Sequence, residues 1–296
     1  MTATFRVTHR SGSALMVNGL QRSLARLQDT QERMSTGRQI NRPSDSPGGT
    51  VTALRLRSEM ARTEQYARNA DDGLGWLGTA DTVLQSALDT LRRARELTIG
   101  AQSGAIGAEA RQATASEVDN LRAALLEVAN TRYGNRLVFA GASPADAAYA
   151  DTGTYRGDAT PINRTLAAGV TVPFTLTGPE VFGPDGSSVF DVLAKLATDL
   201  RSDATGALDA RLGELDTSAE RMRGALATIG ARYNRVETLQ QKANDQLLTV
   251  RSSLSEVEDI DLPKTIVDLQ MQEMAYKAAL GVTARVIQPS LLDFLR

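Results

Sequence analysis

Residues 17–49 read VNGLQRSLARLQDTQERMSTGRQINRPSDSPGG, and this stretch decides the fold class. Its apolar side chains fall at Val17, Leu20, Leu24, Leu27 and Met34, with Gln31 standing where the next one is due. Steps of three and four residues in alternation mark a coiled-coil seam, because that average spacing keeps the stripe on one side of a helix. Gly37 then predicts a helix end in the left-handed conformation, which glycine adopts without a Cβ clash. The run from Asn41 to Gly49 is a strong breaker, rich in Pro, Ser, Asp and Gly. Asp45 or Ser46 can cap the next helix, with Pro47 in its first turn, where a missing N–H does no harm.

The same stripe recurs outward along the chain. A second helix carries Val51 and Leu54 near its start and then Leu77, Ala80, Leu84, Ala87, Leu91 and Ala94, where small residues alternating with Leu permit close helix approach. A third helical stretch, about 108–130, holds Val118, Leu121, Leu125 and Val128. From Tyr133 the period changes: RLVFAG, TYRGD, TPINRTL and VTVPFTLTG read as short strands divided by Gly, Pro, Asn and Asp, ending near Gly183 to Gly186. Helical pattern returns in SVFDVLAKLATDL and in a long region from about 206 to 257, with Val236, Leu239, Ala243, Leu247 and Val250 on one face. Pro263 interrupts it. The last helix, from Lys264 to about Ile287, has two neighbouring stripes, Ile266, Leu269, Tyr276, Leu280 and Val267, Met271, Met274, Ala278. So broad an apolar face suits a helix with several neighbours.

The expected fold is therefore mainly α with an inserted small β-rich domain, its N- and C-terminal segments forming a long antiparallel helical coiled-coil bundle. The pattern divides the chain into an N-terminal assembly segment (1–45), the first part of a helical rod domain (46–135), a β-rich outer domain (136–186), the second part of the rod (187–260) and a C-terminal assembly helix (261–296).

Composition narrows the function. The 296 residues hold 33 Lys and Arg against 35 Asp and Glu, a balance without the positive surface that displaces counterions from nucleic acid. Aromatic residues make up only 4%, which suits helices meeting along narrow aliphatic seams, and predicts a rod. There is no cysteine, which excludes disulfides, thiolate metal sites and thiol catalysis. The opening MTATFRVTHRSG lacks the apolar core of a secretory signal, and no run reaches transmembrane length.

Chemical motifs are weak. Gly73, Gly75 and Gly78 spell G-x-G-x-x-G, but a dinucleotide site needs a strand just before it, and here the polar YARNADD precedes it. The expected role is close helix packing or a local bend. The one histidine, His9, rules out His-rich zinc sites. Asn69, Asp71, Asp72 and Gly73 have the wrong spacing for a calcium loop. No catalytic residue, cofactor site or metal site is expected, and Trp76 with Leu77 reads as helix-interface packing. Periodicity alone fits a bundle, a coiled-coil scaffold or a polymer subunit equally.

Several segments together resemble the flagellin superfamily. Leu24 to Ser58 is similar to its N-terminal signature of helix, turn, Pro-Ser-Asp-Asp-Pro loop and second helix, with Thr36, Arg38 and Ser46 departing mildly from it. Arg68 to Leu84, Leu91 to Gly104 and Ala129 to Gly141 follow in the family's order, and Ile229 to Gln240 with Ser255 to Leu280 resemble its C-terminal signature. The opening FRVTHR, the middle YRGDATPINRTLAAGVTVPFTLTGPEVFG and the ending IQPSLLDFLR are similar to the hook–filament junction branch rather than to filament flagellins. The resemblance implies an extracellular flagellar subunit exported without a cleaved signal peptide, assembling through its termini. It further implies contacts with copies of itself, with another hook-associated protein on the hook side and with flagellin on the filament side. A cytoplasmic export chaperone would hold the C-terminal helix, and neither nucleic acid nor membrane insertion is implied. On this reading the assembly interface comprises Val17, Leu20, Leu24, Leu27 and Met34 with Ile266, Leu269, Met271, Met274 and Leu280. Arg42, Pro43, Ser44, Asp45 and Pro47 form the turn motif. Both ends are expected to gain order on assembly, since a lone stripe recovers little of its ordering entropy.

Overall fold

A computed structural model describes residues 9–102 and 107–287. The opening Phe5 to Thr8 and the closing Gln288 to Arg296, which carry part of the family resemblance, lie outside the described residues. The elements run α1 (His9–Thr36), α2 (Pro47–Gln102), α3 (Ala108–Ala129), β1 (Arg132–Tyr133), β2 (Arg136–Leu137), β3 (Asn163–Ala167), β4 (Val170–Pro173), α4 (Gly178–Phe182), α5 (Val189–Arg201), α6 (Leu208–Glu258) and α7 (Leu262–Ile287). The chain forms two compact units: a terminal unit of Met1–Ala61 with Leu248–Arg296, and a central unit of Arg62–Leu247.

In the terminal unit α1 packs along α7. Gly37 closes α1 at φ +70°, its N–H donating to the Arg33 carbonyl at 2.9 Å. Ser46 starts α2: its carbonyl accepts from the Thr50 N–H at 2.8 Å and its Oγ from the Gly49 N–H at 3.2 Å, with Pro47 the first helical residue. An antiparallel bridge between Arg38 and Asp259 sets the end of α1 beside the start of α7, so the two helices run in opposite directions. The expected pairing of N- and C-terminal helices is thus present.

In the central unit α2 and α6 are also antiparallel: Asp71 meets Gln240, Arg95 meets Asp216 at 2.8 Å and Gln102 meets Asp209 at 2.7 Å. The whole predicted stripe of α2, from Leu77 to Ala94, is buried. Val118 and Leu125 of α3 are buried as well, and α3 packs on α5. Ser188 caps α5 in a reciprocal box with Asp191, each backbone N–H bonded to the other's side chain, at 3.0 and 3.2 Å. Tyr149, Phe182, Phe190 and Phe139 fill the outer part of this core, with ring centroids 4.7–5.6 Å apart in tilted and edge contacts.

The middle of the chain carries the small β content read from its sequence, in strands shorter than the stretches that predict them. Among the described residues it holds two short antiparallel hairpins, β1–β2 and β3–β4, and an isolated Tyr149–Tyr155 bridge. The apolar stretches Val138 to Ala140 and Phe174 to Leu176 are buried without joining a sheet. Bonds outside the ladders hold these stretches: the Val138 N–H donates to the Thr131 carbonyl at 3.0 Å and the Phe139 carbonyl accepts from the Gly178 N–H at 2.9 Å. Asn130 bonds both the N–H and the C=O of Tyr149, at 2.9 and 3.0 Å, and Arg122 of α3 donates to the carbonyls of Phe190 and Thr152 at 3.1 and 2.6 Å. Buried backbone groups are satisfied this way as well as by a ladder.

The three glycines of the G-x-G-x-x-G pattern do not separate two helices; all lie inside the continuous α2. A Cβ on Gly73 would strike the Phe174 ring, and one on Gly75 would strike the Tyr133 hydroxyl, whereas Gly78 faces open space. What approaches closely is therefore the hairpin region's aromatic rings rather than a second helix.

Candidate assembly surface

The turn between α1 and α2 is held by one carboxylate. Asp45 accepts from the backbone N–H groups of Arg42 and Asn41, at 2.8 and 3.0 Å. The Arg42 N–H bond is the main reason its pKa lies below the ordinary carboxylate value, with the Asn41 bond and the Arg33 and Arg42 charges acting the same way. The Arg42 guanidinium reaches back to both Glu32 oxygens, at 2.8 and 3.1 Å. Pro43 and Ser44 stand exposed at the corner. Asp45 thus closes the turn while Ser46 caps the helix.

Main-chain bonds clasp this turn to the α6–α7 junction. The Gln39 N–H donates to the Glu258 carbonyl at 2.6 Å, and the Ile260 N–H donates to the Gly37 carbonyl at 3.1 Å. Glu258 itself is 5% exposed, and its carboxylate is met by Arg57 of α2 at 2.8 Å. A carboxylate removed from water needs such a partner. Neither Arg57 nor Glu258 has a periodicity that singles it out, so no sequence signal points to this pair.

The predicted stripes divide between a seam and a free face. On α1, Leu27 is buried and Leu20 and Met34 are half-buried, spaced by seven residues, whereas Val17 and Leu24 are exposed. On α7, Leu269 is half-buried with Tyr276, and Thr283 one further heptad on is buried. Ile266, Met271, Met274 and Leu280 are exposed, Met274 at 63%. Leu15, Val51, Leu54, Leu248, Leu262, Val267 and Val282 add exposed apolar side chains that the stripe reading did not assign to this surface. The structure therefore buries or half-buries four of the ten predicted residues and leaves the other six exposed.

A soluble chain rarely leaves so many large apolar groups uncovered in one region unless another surface covers them. Burying a Leu or Met fully is worth about 1.5–3 kcal/mol, so covering a handful of these side chains is a substantial driving force.

Residues 7–143 match the sequence profile of the bacterial flagellin N-terminal helical region. Flagellar hook-associated protein 3 of Escherichia coli is 27% identical over 288 residues, covering 89% of this chain and 91% of the relative. Over residues 7–143 the chain is similar to the N-terminal region of bacterial flagellins. Flagellin of Bacillus subtilis is 25% identical over 312 residues, covering 98% of this chain and 100% of the relative. Among solved structures, a flagellar hook-associated protein from Vibrio parahaemolyticus superposes with a TM-score of 0.67 at 21% identity, over 73% of this chain and 100% of that one, a likeness of fold.

The described residues include no group of three or more His, Asp or Glu placed to hold a metal ion. No described helix is long and apolar enough to cross a membrane. What the terminal unit offers is apolar area for a partner.

Proposed function

We propose that this protein is a structural subunit of the bacterial flagellum that forms the junction between hook and filament. The observation that carries the reading is the uncovered apolar face of α1, α7 and the start of α2, which the paired helices of one copy leave open. On this reading Val17, Leu24, Ile266, Met271, Met274 and Leu280 are covered by neighbouring subunits, while Leu20, Leu27, Met34 and Leu269 hold α1 to α7. The neighbours are copies of this chain, another hook-associated protein on the hook side and flagellin on the filament side. The turn motif from Arg42 to Pro47 fixes where the assembly helices begin, and segments 1–45 and 261–296 act as the assembly parts. The role is structural, without catalysis, and its place is outside the cell.

Quantitative mass spectrometry of sheared, washed flagella tests this. A trace amount relative to the main filament subunit, concentrated at the hook-proximal end, is the expected result. An amount matching the bulk polymer makes the chain a filament flagellin, and absence from flagella leaves a coiled-coil scaffold.

Before export, a cytoplasmic chaperone covers α7, whose exposed methionines and aliphatic side chains would otherwise drive aggregation. Deleting the residues after Pro263 is expected to abolish capture by that chaperone; retained affinity places its site elsewhere.

A further inference from the structure

The central unit carries a feature that its internal packing does not use. A cleft of about 360 Å³ opens where the β1–β2 turn and β3 meet α2. That volume is at the small end of the roughly 300–1,000 Å³ typical of ligand sites. Trp76, Tyr133, Ile162 and Phe174 form its apolar part, with Trp76 and Tyr133 in an edge contact at 5.7 Å. Gly73 and Gly75 make room for these rings, because a side chain at either would strike the Phe174 ring or the Tyr133 hydroxyl. Glycine is unfavourable inside a helix, so α2 gives up helix stability to seat them.

The polar groups of the cleft offer donors and lack acceptors. Trp76 is 7% exposed, and its buried indole N–H meets no acceptor among the described residues. A buried donor left unbonded is costly and rare enough to need a reason. Arg136 stands exposed on the lining with no partner for its guanidinium among the described residues, and the Asn135 amide and Tyr133 hydroxyl are likewise unbonded there. Asp72, the carboxylate of the lining, is already engaged by Arg164 at 3.3 Å. Two guanidinium groups thus face one carboxylate, and the cleft is left net positive.

A ligand suited to this lining supplies acceptors and one negative charge at one end and apolar surface at the other. A carboxylate answers the first need, since its oxygens only accept and they match the fork of a guanidinium. A phosphate dianion would want more than one free cation, and an uncharged ligand would leave Arg136 unanswered. We propose that the cleft binds a small organic monocarboxylate with a compact apolar body. The carboxylate lies between the Arg136 guanidinium and the Trp76 N–H, and the body lies against Ile162 and Phe174. The site is separate from the uncovered face of the terminal unit, so it stands or falls apart from the assembly reading.

Trp76 is the chain's one tryptophan, so its indole gives a single cross-peak in a proton–nitrogen correlation spectrum of the full chain. That peak is followed while hexanoate is added, with acetate (the charge without the body) and hexanamide (the body without the charge) in parallel. The expected result is a saturable shift by hexanoate, half complete at a concentration about tenfold below that of either control. In Arg136→Gln, an exposed change outside any helix, half-saturation should need about fivefold more hexanoate, because the charge-assisted bond is gone. An indole peak that hexanoate leaves unmoved assigns the donor to an ordered water and overturns the proposal. Equal response to acetate or hexanamide overturns it too, as does undiminished binding by the variant. Presence or absence of the protein in flagella bears on none of these outcomes.

Discussion

The central and terminal units are built from the same helical material and end in opposite states. Among the described residues the contiguous buried core runs from Ala70 to Val236, all of it in the central unit. The large apolar side chains that stand exposed are, apart from Ile99 and Tyr233, all in the terminal unit. The difference follows from what each stripe finds to pack against. In the central unit α2, α3, α5 and α6 contribute to one core, and five aromatic rings of the middle segment close it. In the terminal unit α1 and α7 have chiefly each other, and two helices can bury only one line of side chains apiece. The lesson is that an identical heptad signal specifies a finished core or an open surface according to how many elements share it.

Three variants and one pH series test that contrast. Replacing Leu20, Leu24 and Leu27 together by Asp is expected to abolish incorporation into flagella, at least a hundredfold, while the central unit keeps its protease resistance. Normal assembly of that variant would mean that α1 is not part of the surface. Phe190→Ala is expected to cost the central unit about 3–5 kcal/mol in chemical denaturation, because a fully buried ring leaves a cavity among Tyr149 and Phe182. A loss below about 1 kcal/mol would show that this core is not the rigid part of the molecule.

Met271→Ser with Met274→Ser separates stability from assembly. Both side chains are exposed, so the monomer's stability should shift by no more than about 0.5 kcal/mol per site, while incorporation falls roughly tenfold. A destabilised monomer with normal incorporation would reverse the assignment of that face.

The smallest effect concerns alkali. Burial pushes the Tyr155 phenol up to about 12 from its ordinary 10.0, the Asp158 and Glu180 charges adding to this while a hydrogen bond opposes it. Burial raises Tyr149 in the same direction. The unfolded chain then loses these protons before the folded one does. Their contribution is fully present below pH 10 and is lost as pH climbs toward 12. Denaturation midpoints of the central unit should fall across that window, and Tyr155→Phe should flatten the fall.

Much of this organisation could be read from residues. The steps from Val17 to Met34, the breaker around Pro43 and the α2 stripe from Leu77 to Ala94 translate directly into helices and turns, because periodicity and chain stops are local. The middle segment holds the short strands read from it, though each is shorter than the stretch that predicts it. Its Val, Thr and Phe content signals half-buried extended chain, but where each ladder stops depends on distant partners such as Gly178, whose N–H donates to the Phe139 carbonyl. The same holds for Gly73 and Gly75, whose reason is a ring about a hundred residues or sixty residues further on. The stripes of α1 and α7 fall on two helices that pack together. They did not separate the seam residue Leu27 from the outward Leu24, because both obey one heptad and only the partner's position distinguishes them.

The clasp that joins Gly37 and Gln39 to Ile260 and Glu258 has a consequence in time. The first helix has its partner in the last described one, so a growing or threading chain carries α1 unmatched until α7 arrives. A copy broken anywhere before Leu262 lacks the second half of the seam and has nothing to hold its first helix in register. On the assembly reading, a recruiting surface built on α1 and α7 would exist only on molecules whose synthesis has run through α7, and fragments would be screened out before they are built in.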